Sequence, residues 1–178
     1  IEMLCSDSLG GRRAGSGNDL RAARLLADEL HAAGCEPLWR EALVPFCIPA
    51  GRRGMDKVLA GEWRDSSYNV VMTIRSRHPE AEKVLLGAHY DHLGLFKADK
   101  GKRHKAADML RGANDNASGT AAVVEIARCL QPYADSFRRD LVVALFGAEE
   151  MGIVGSRHLE RMLRDCAVVV GHMVNLEM

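Results

Sequence analysis

From residue 83 onward the chain alternates short apolar runs with amphipathic segments, and that alternation constrains the fold more than any other feature. "KVLLGA" (83–88) and "RDLVVALFGA" (139–148) read as buried strands, and "CAVVVGHMVNLEM" (166–178) as a strand running to the end of the chain. "ASGTAAVVEIARCL" (117–130), with Val123, Ile126, Ala127 and Leu130 at helical spacing, and "IVGSRHLERMLRD" (153–165) read as helices. A strand that is apolar on both faces needs cover on both, and a helical crossover between strands returns the second parallel to the first. The pattern predicts an α/β fold, a mixed and largely parallel central sheet flanked by helices.

The first half fits the same plan. "NDLRAARLLADELHAAG" (18–34) predicts a helix capped by Asn18 or Asp19, with Leu20, Ala23, Ala27 and Leu30 on one face and Gly34 as its stop. Two β-like runs, "ALVPFCI" (42–48) and "YNVVMTI" (68–74), flank "PAGRRGMDKVLAGEW" (49–63), which reads as a loop or hairpin connection. At 178 residues and 47% hydrophobic, the chain has the apolar content for one domain with a sizeable core.

Lys plus Arg and Asp plus Glu both total 24, so no global field favours nucleic acid or an anionic membrane. No stretch approaches the ~18 apolar residues of a membrane span, and "IEMLCSDSLGG" lacks the features of a signal peptide. A soluble domain without nucleic-acid or membrane partners is expected. The five cysteines (Cys5, Cys35, Cys47, Cys129, Cys166) are scattered and form no C-x-x-C pair, which predicts mostly buried small hydrophobes and leaves one disulfide open.

In open α/β sheets, ligands collect beyond the carboxyl ends of the strands. Each late strand here ends in groups that can bind a metal. The first leads into "GAHYDHLG", with His89, Asp91 and His92; the second into Glu149 and Glu150; the third into Glu177. Asp115 lies in "RGANDNASG", just before a helix start on the same edge. Taken singly, each has a simpler reading: His89 as a hydrogen-bonded structural residue, Asp115 as a turn former, the two glutamates as an acidic first turn, Glu177 as a surface charge. The conjunction favours a metal site, because four unrelated explanations would otherwise have to place oxygen and nitrogen donors on one edge.

Histidine plus carboxylates without clustered cysteine suits catalytic zinc, cobalt or manganese better than structural zinc. Asp115 could bridge two ions, and a water they share would be a nucleophile near neutral pH once a base takes its proton. No H-E-x-x-H or G-x-S-x-G competes with this reading. "GGRRAGSG" (10–17) follows no clear strand and lacks a G-K-[ST] ending, so a mobile loop is expected. The basic "KADKGKRHKAADMLRG" (97–112) reads as a solvated loop at the site entrance.

"GAHYDHLG", "GANDNASGTAAVVEIAR", "FGAEEMGIVGS" and "MVNLEM", in that order, closely resemble the co-catalytic zinc aminopeptidases typified by secreted bacterial leucine aminopeptidase, whose relatives include glutamate carboxypeptidase and glutaminyl cyclase. The early "LGGRRAGSGNDLRAARLLADELHAAGCEP" is similar to that family's amino-terminal segment. The resemblance implies a zinc-exopeptidase, phosphorylase/hydrolase-like fold, two divalent ions, most simply zinc, a peptide substrate with a free amino terminus, and export to the periplasm or beyond. It implies that His89 and Glu177 bind one metal, Glu150 the other, and Asp115 both. Asp91 would orient His89, Glu149 would be the general base, and the Asp115–Asn116 peptide would be cis. Two departures stand out. The Glu177 position is more often Asp in the family, and the family's remaining ligand, a His on the second metal, lies beyond Met178. The expectation is therefore a single catalytic domain, 1–178, whose carboxyl-terminal part is missing. A cyclase-like acyltransferase and a non-catalytic binding module that keeps the fold are the competing readings.

Overall fold

A computed structural model describes residues 1–49, 65–77, 79, 81–95 and 109–178. Its strands are β1 (Glu36–Pro37), β2 (Leu43–Cys47), β3 (Ser66–Ile74), β4 (Lys83–His89), β5 (Gly94–Leu95), β6 (Met109–Leu110), β7 (Leu141–Phe146) and β8 (Val170–Asn175). Its helices are α1 (Asn18–Ala32), α2 (Gly119–Leu130) and α3 (Val154–Asp165). Six strands form one sheet in the order β1-β3-β7-β4-β8, with β2 also on β3, while β5 and β6 pair separately.

The expected mixed sheet is present. β4 runs parallel to both β7 and β8, and β3 is antiparallel to β7. The unbroken apolar run of β7 follows from cover on both sides. Leu141, Val143 and Leu145 join Val70, Met72 and Leu86 under α1 and α2. Val142, Ala144 and Phe146 join Val71 and Leu85 under Leu159 and Leu163 of α3. Burying each such side chain contributes on the order of 1.5–3 kcal/mol before chain entropy is set against it.

Several local expectations change. Of the cysteines only Cys35 is buried; Cys47, Cys129 and Cys166 are exposed and all five are free thiols. Their side chains are small enough to follow whichever face the local backbone assigns. Ile126 of α2 is 37% exposed, because the buried stripe runs through Thr120, Val123, Val124 and Ala127. In α1, Ala22 and Leu26 join Ala23, Ala27 and Leu30 in the buried face, while Leu20 is half-buried. Neither Asn18 nor Asp19 caps that helix. Gly17 holds the cap position, and the Asp19 carboxylate accepts the amides of Gly15 (2.9 Å) and Gly17 (3.0 Å).

The last run forms the expected strand; among the described residues β8 pairs only with β4, and it exposes Met173 and Val174. The glycine-rich stretch expected as a mobile loop is packed instead: Asp7–Arg12 forms a short 3-10 turn, and Gly10 through Ala14 are buried. The expected connection at 49–63 lies, apart from Pro49, outside the described residues, as does 97–108 of the basic stretch.

One buried ion pair ties the amino ends of the central strands together. Asp140, 4% exposed just before β7, accepts the Lys83 ammonium of β4 at 2.7 Å and the Ser76 amide beyond β3 at 2.8 Å. Burial pushes its carboxyl up, but Lys83 and the Ser76 amide outweigh this and hold it below the usual carboxylate range. A carboxyl lowered on folding adds stability in full above its unfolded value of about 3.9, and loses it as pH falls through the lower folded value. Asp140→Asn is expected to cost about 2 kcal/mol at neutral pH. In urea titrations, the gap between wild type and variant should be constant above about pH 5 and close below about pH 4.

Candidate metal centre

Parallel pairing sets the carboxyl ends of β4, β7 and β8 side by side, with His89 opposite Phe146 and Gly87 opposite Asn175. His89 closes β4 and is 1% exposed, and its carbonyl accepts the Thr120 hydroxyl of α2 at 2.7 Å. Beyond β7 the chain turns through Ala148 in the left-handed region (φ 54). The Asp91 carboxylate anchors this turn by accepting the amides of Glu149 (2.9 Å) and Glu150 (3.4 Å). Asn69 secures its other side, accepting the Gly147 amide at 3.1 Å and donating to the Gly155 carbonyl at 2.8 Å.

Asp115 sits in a wide turn, Ala113–Ser118, whose Asp115–Asn116 peptide is cis, as the resemblance implies. The approach to this turn requires glycine. Gly112 has φ 54, and a Cβ there would lie 2.3 Å from the Asp115 carbonyl oxygen and 2.5 Å from the His92 ring. The buried Asn116 side chain donates to the Leu176 carbonyl at 2.9 Å and accepts the Gly119 amide at 3.1 Å. Leu176 in turn donates its amide to Gly87 at 2.8 Å, so the residue before Glu177 is held to both β4 and the start of α2.

The donors converge in two groups that share Asp115. In the first, His89 Nε2 is 3.1 Å from Asp115 Oδ1 and 3.0 Å from Glu177 Oε1. In the second, His92 Nδ1 is 2.8 Å from Glu150 Oε1 and 4.0 Å from Asp115 Oδ2. In each group the ligand atoms lie within 4.8 Å of one another. Two ligands on one tetrahedral zinc stand about 3.3 Å apart, close to the His89 distances. Glu149 belongs to neither group.

A divalent cation fits these residues. His89 Nε2 is buried without a hydrogen-bond partner, although two carboxylate oxygens stand near it. Burial alone lowers the His89 pKa, but Asp91, Glu177 and Glu149 outweigh it and raise it to about 9. Burial also raises the Glu149 carboxyl, which His89 opposes and Asp91, Glu150 and Glu177 reinforce. Five acids thus face two imidazoles, and the surplus of negative charge matches a cation.

The Asp91 carboxylate, expected to orient His89, lies 3.7 Å from Nδ1, longer than a hydrogen bond, while the Asp91 carbonyl is at 3.2 Å. The carboxylate's hydrogen bonds are to the Glu149–Glu150 turn, and its interaction with His89 is an ion-pair contact. His92 was visible in the "HYDH" spacing but carried no assigned role, because the resemblance pointed to a later His. Asn116 and Thr120 carried none either. An apolar groove of about 460 Å³ between α3 and β8, lined by Leu85, Phe146, Leu159, Leu163 and Val170 among others, includes none of the metal-binding candidates.

Residues 69–178 match the model of peptidase family M28. The chain is 34% identical over 110 residues to a probable zinc metalloprotease of Leptosphaeria maculans, a match that covers 61% of this chain and 23% of that protein. It therefore spans less than a quarter of the length of this curated relative. Among solved structures, a zinc aminopeptidase from Bacillus subtilis superposes with a TM-score of 0.70 at 15% identity, covering 98% of this chain and 66% of that one. A glutaminyl cyclase from Bacteroides thetaiotaomicron gives 0.65 at 19% identity, covering 99% and 60%. Both share the fold. The family match extends from β3 through Glu177 and includes every metal-binding candidate described above, so the chain belongs to peptidase family M28.

Proposed function

We propose that this chain carries the catalytic centre of a zinc-dependent aminopeptidase, which hydrolyses the first peptide bond of a substrate with a free amino terminus. The observation that carries the reading is the pair of donor groups joined by Asp115, with Glu149 part of neither but interacting electrostatically with His89 and Glu177 of the one and Glu150 of the other. His89, Asp115 and Glu177 would hold one ion, and His92, Asp115 and Glu150 the other. Bound zinc would supply Lewis acidity and a water acidified toward ~7.

Glu149 serves as general base. It takes the proton of the attacking water and delivers it to the leaving amine, a transfer worth about 10²–10⁴-fold in rate. Its half-buried position raises its proton affinity above that of an ordinary carboxylate, which suits this role. The acid surplus complements an α-ammonium, which supports an amino-terminal substrate over a blocked one.

Glu149→Ala should retain zinc, read by elemental analysis, while kcat on an aminoacyl p-nitroanilide falls by about 10²–10⁴-fold. Hydrolysis that survives this change would sink the general-base role. Glu150→Ala and His92→Ala should each lower the zinc content by about one equivalent at limiting metal. Loss of cleavage on amino-terminal acetylation checks the exopeptidase reading. Cyclisation of an amino-terminal Gln peptide without peptide hydrolysis would favour the cyclase instead, and wild type that takes up no divalent ion would favour the binding module.

A further inference from the structure

The glycine-rich turn at the amino terminus places a buried arginine against both loops that supply the histidine and aspartate donors. Arg12 is 0% exposed. Its Nε donates to the Tyr90 carbonyl at 2.7 Å, Nη1 to the carbonyls of Leu4 at 2.5 Å and Arg111 at 2.8 Å, and Nη2 to that of Gly112 at 3.0 Å. Tyr90 lies between His89 and Asp91, and Gly112 leads into the Asp115 turn. The main chain adds a weaker link, because the His92 amide points at the Arg12 carbonyl at 3.4 Å.

The local backbone is shaped for this insertion. Gly10, Gly11 and Arg12 all have positive φ (49, 71 and 52). A Cβ on Gly11 would lie 2.3 Å from the Leu110 carbonyl oxygen and 2.8 Å from Gly94 Cα, so the turn is wedged between the segments that follow β4 and precede the Asp115 turn. A non-glycine residue in the left-handed region carries a conformational cost, which persists only where surrounding contacts over-determine it.

We propose that Arg12 is a positioning residue for metal binding, whose planar guanidinium fixes the separation between the His89–His92 loop and the Asp115 loop. This rests on the metal-dependent reading above. The Arg12 guanidinium bonds to none of the donor side chains; it acts through the carbonyls of Tyr90, Arg111 and Gly112. Lysine keeps the charge but offers one compact ammonium in place of a rigid fork and cannot span the same carbonyls.

The test uses the full-length protein. Zinc affinity is measured by chelator competition, and the visible absorption of the cobalt-substituted protein is recorded, for wild type, Arg12→Lys and Leu163→Ala. The last truncates a side chain on the buried face of α3, in a cluster that contains none of the donor residues. Among variants folded by circular dichroism, Arg12→Lys should lose about 10–100-fold in zinc affinity and change the cobalt spectrum, while Leu163→Ala binds as wild type. Equal behaviour of Arg12→Lys and wild type, or an equal loss in both variants, overturns the proposal and leaves the metal reading intact. Wild type that binds no zinc overturns both.

If Arg12→Lys does not fold, wild type alone decides. By linkage, a contact that aids metal binding is itself tightened by metal. Zinc should therefore slow hydrogen exchange at Arg12 Nε at least about tenfold in NMR spectra of arginine-labelled protein, and unchanged exchange overturns the proposal.

Discussion

The parallel register of β4 with β7 and β8 is the constraint on which the site depends. It brings the loops after three strands to one edge of the sheet, and α2 starts at the same edge. The chain thereby assembles donors up to 88 residues apart, His89 and Glu177, at a contact of 3.0 Å. The strands are rigid because both faces of β7 are covered. The loops inherit that rigidity through named bonds: Thr120 to the His89 carbonyl, Asn116 to Leu176, and Asp91 to the Glu149–Glu150 turn.

Convergence of this kind has an electrostatic cost. Carboxylates at one edge repel, and burial penalises the charge on those that are shielded. The groups respond as that predicts, with Glu149 raised and the His89 imidazole drawn toward its protonated form. A cation between the donors would relieve both effects, so the features that destabilise the metal-free edge are the ones that suit it to the proposed metal site. Asp115 suits the middle position because its two oxygens face different groups.

The sequence was most legible where a physical pattern is local. β4 and β7 read as strands because cover on both faces demands unbroken apolar runs, and α2 read as a helix from its spacing. His89, Asp115, Glu150 and Glu177 were legible because each follows a strand or precedes a helix, and the structure brings them together in donor groups. β8 was legible as a strand but its exposure was not, since an apolar composition looks the same whether or not a neighbour covers it. Arg12 was invisible for a different reason. Its partners lie 8 to 100 residues away in sequence, and an arginine among glycines reads as loop. His92 had the spacing but no strand end of its own, and its proximity to Glu150 appears only in three dimensions.

The adjacent pair Glu149–Glu150 shows how one turn can give two like residues different surroundings, as the proposed roles of base and ligand require. Both amides point at the Asp91 carboxylate, so the main chain of both residues is held by a single acceptor. The side chains then diverge: Glu150 reaches His92 and the second donor group, while Glu149 remains outside both groups yet half-buried. A ligand must stay deprotonated, which proximity to a cation ensures. A base must instead accept a proton and release it, which calls for burial without direct coordination. Asp91, by gripping the backbone rather than either side chain, lets neighbouring identical residues experience these two different environments.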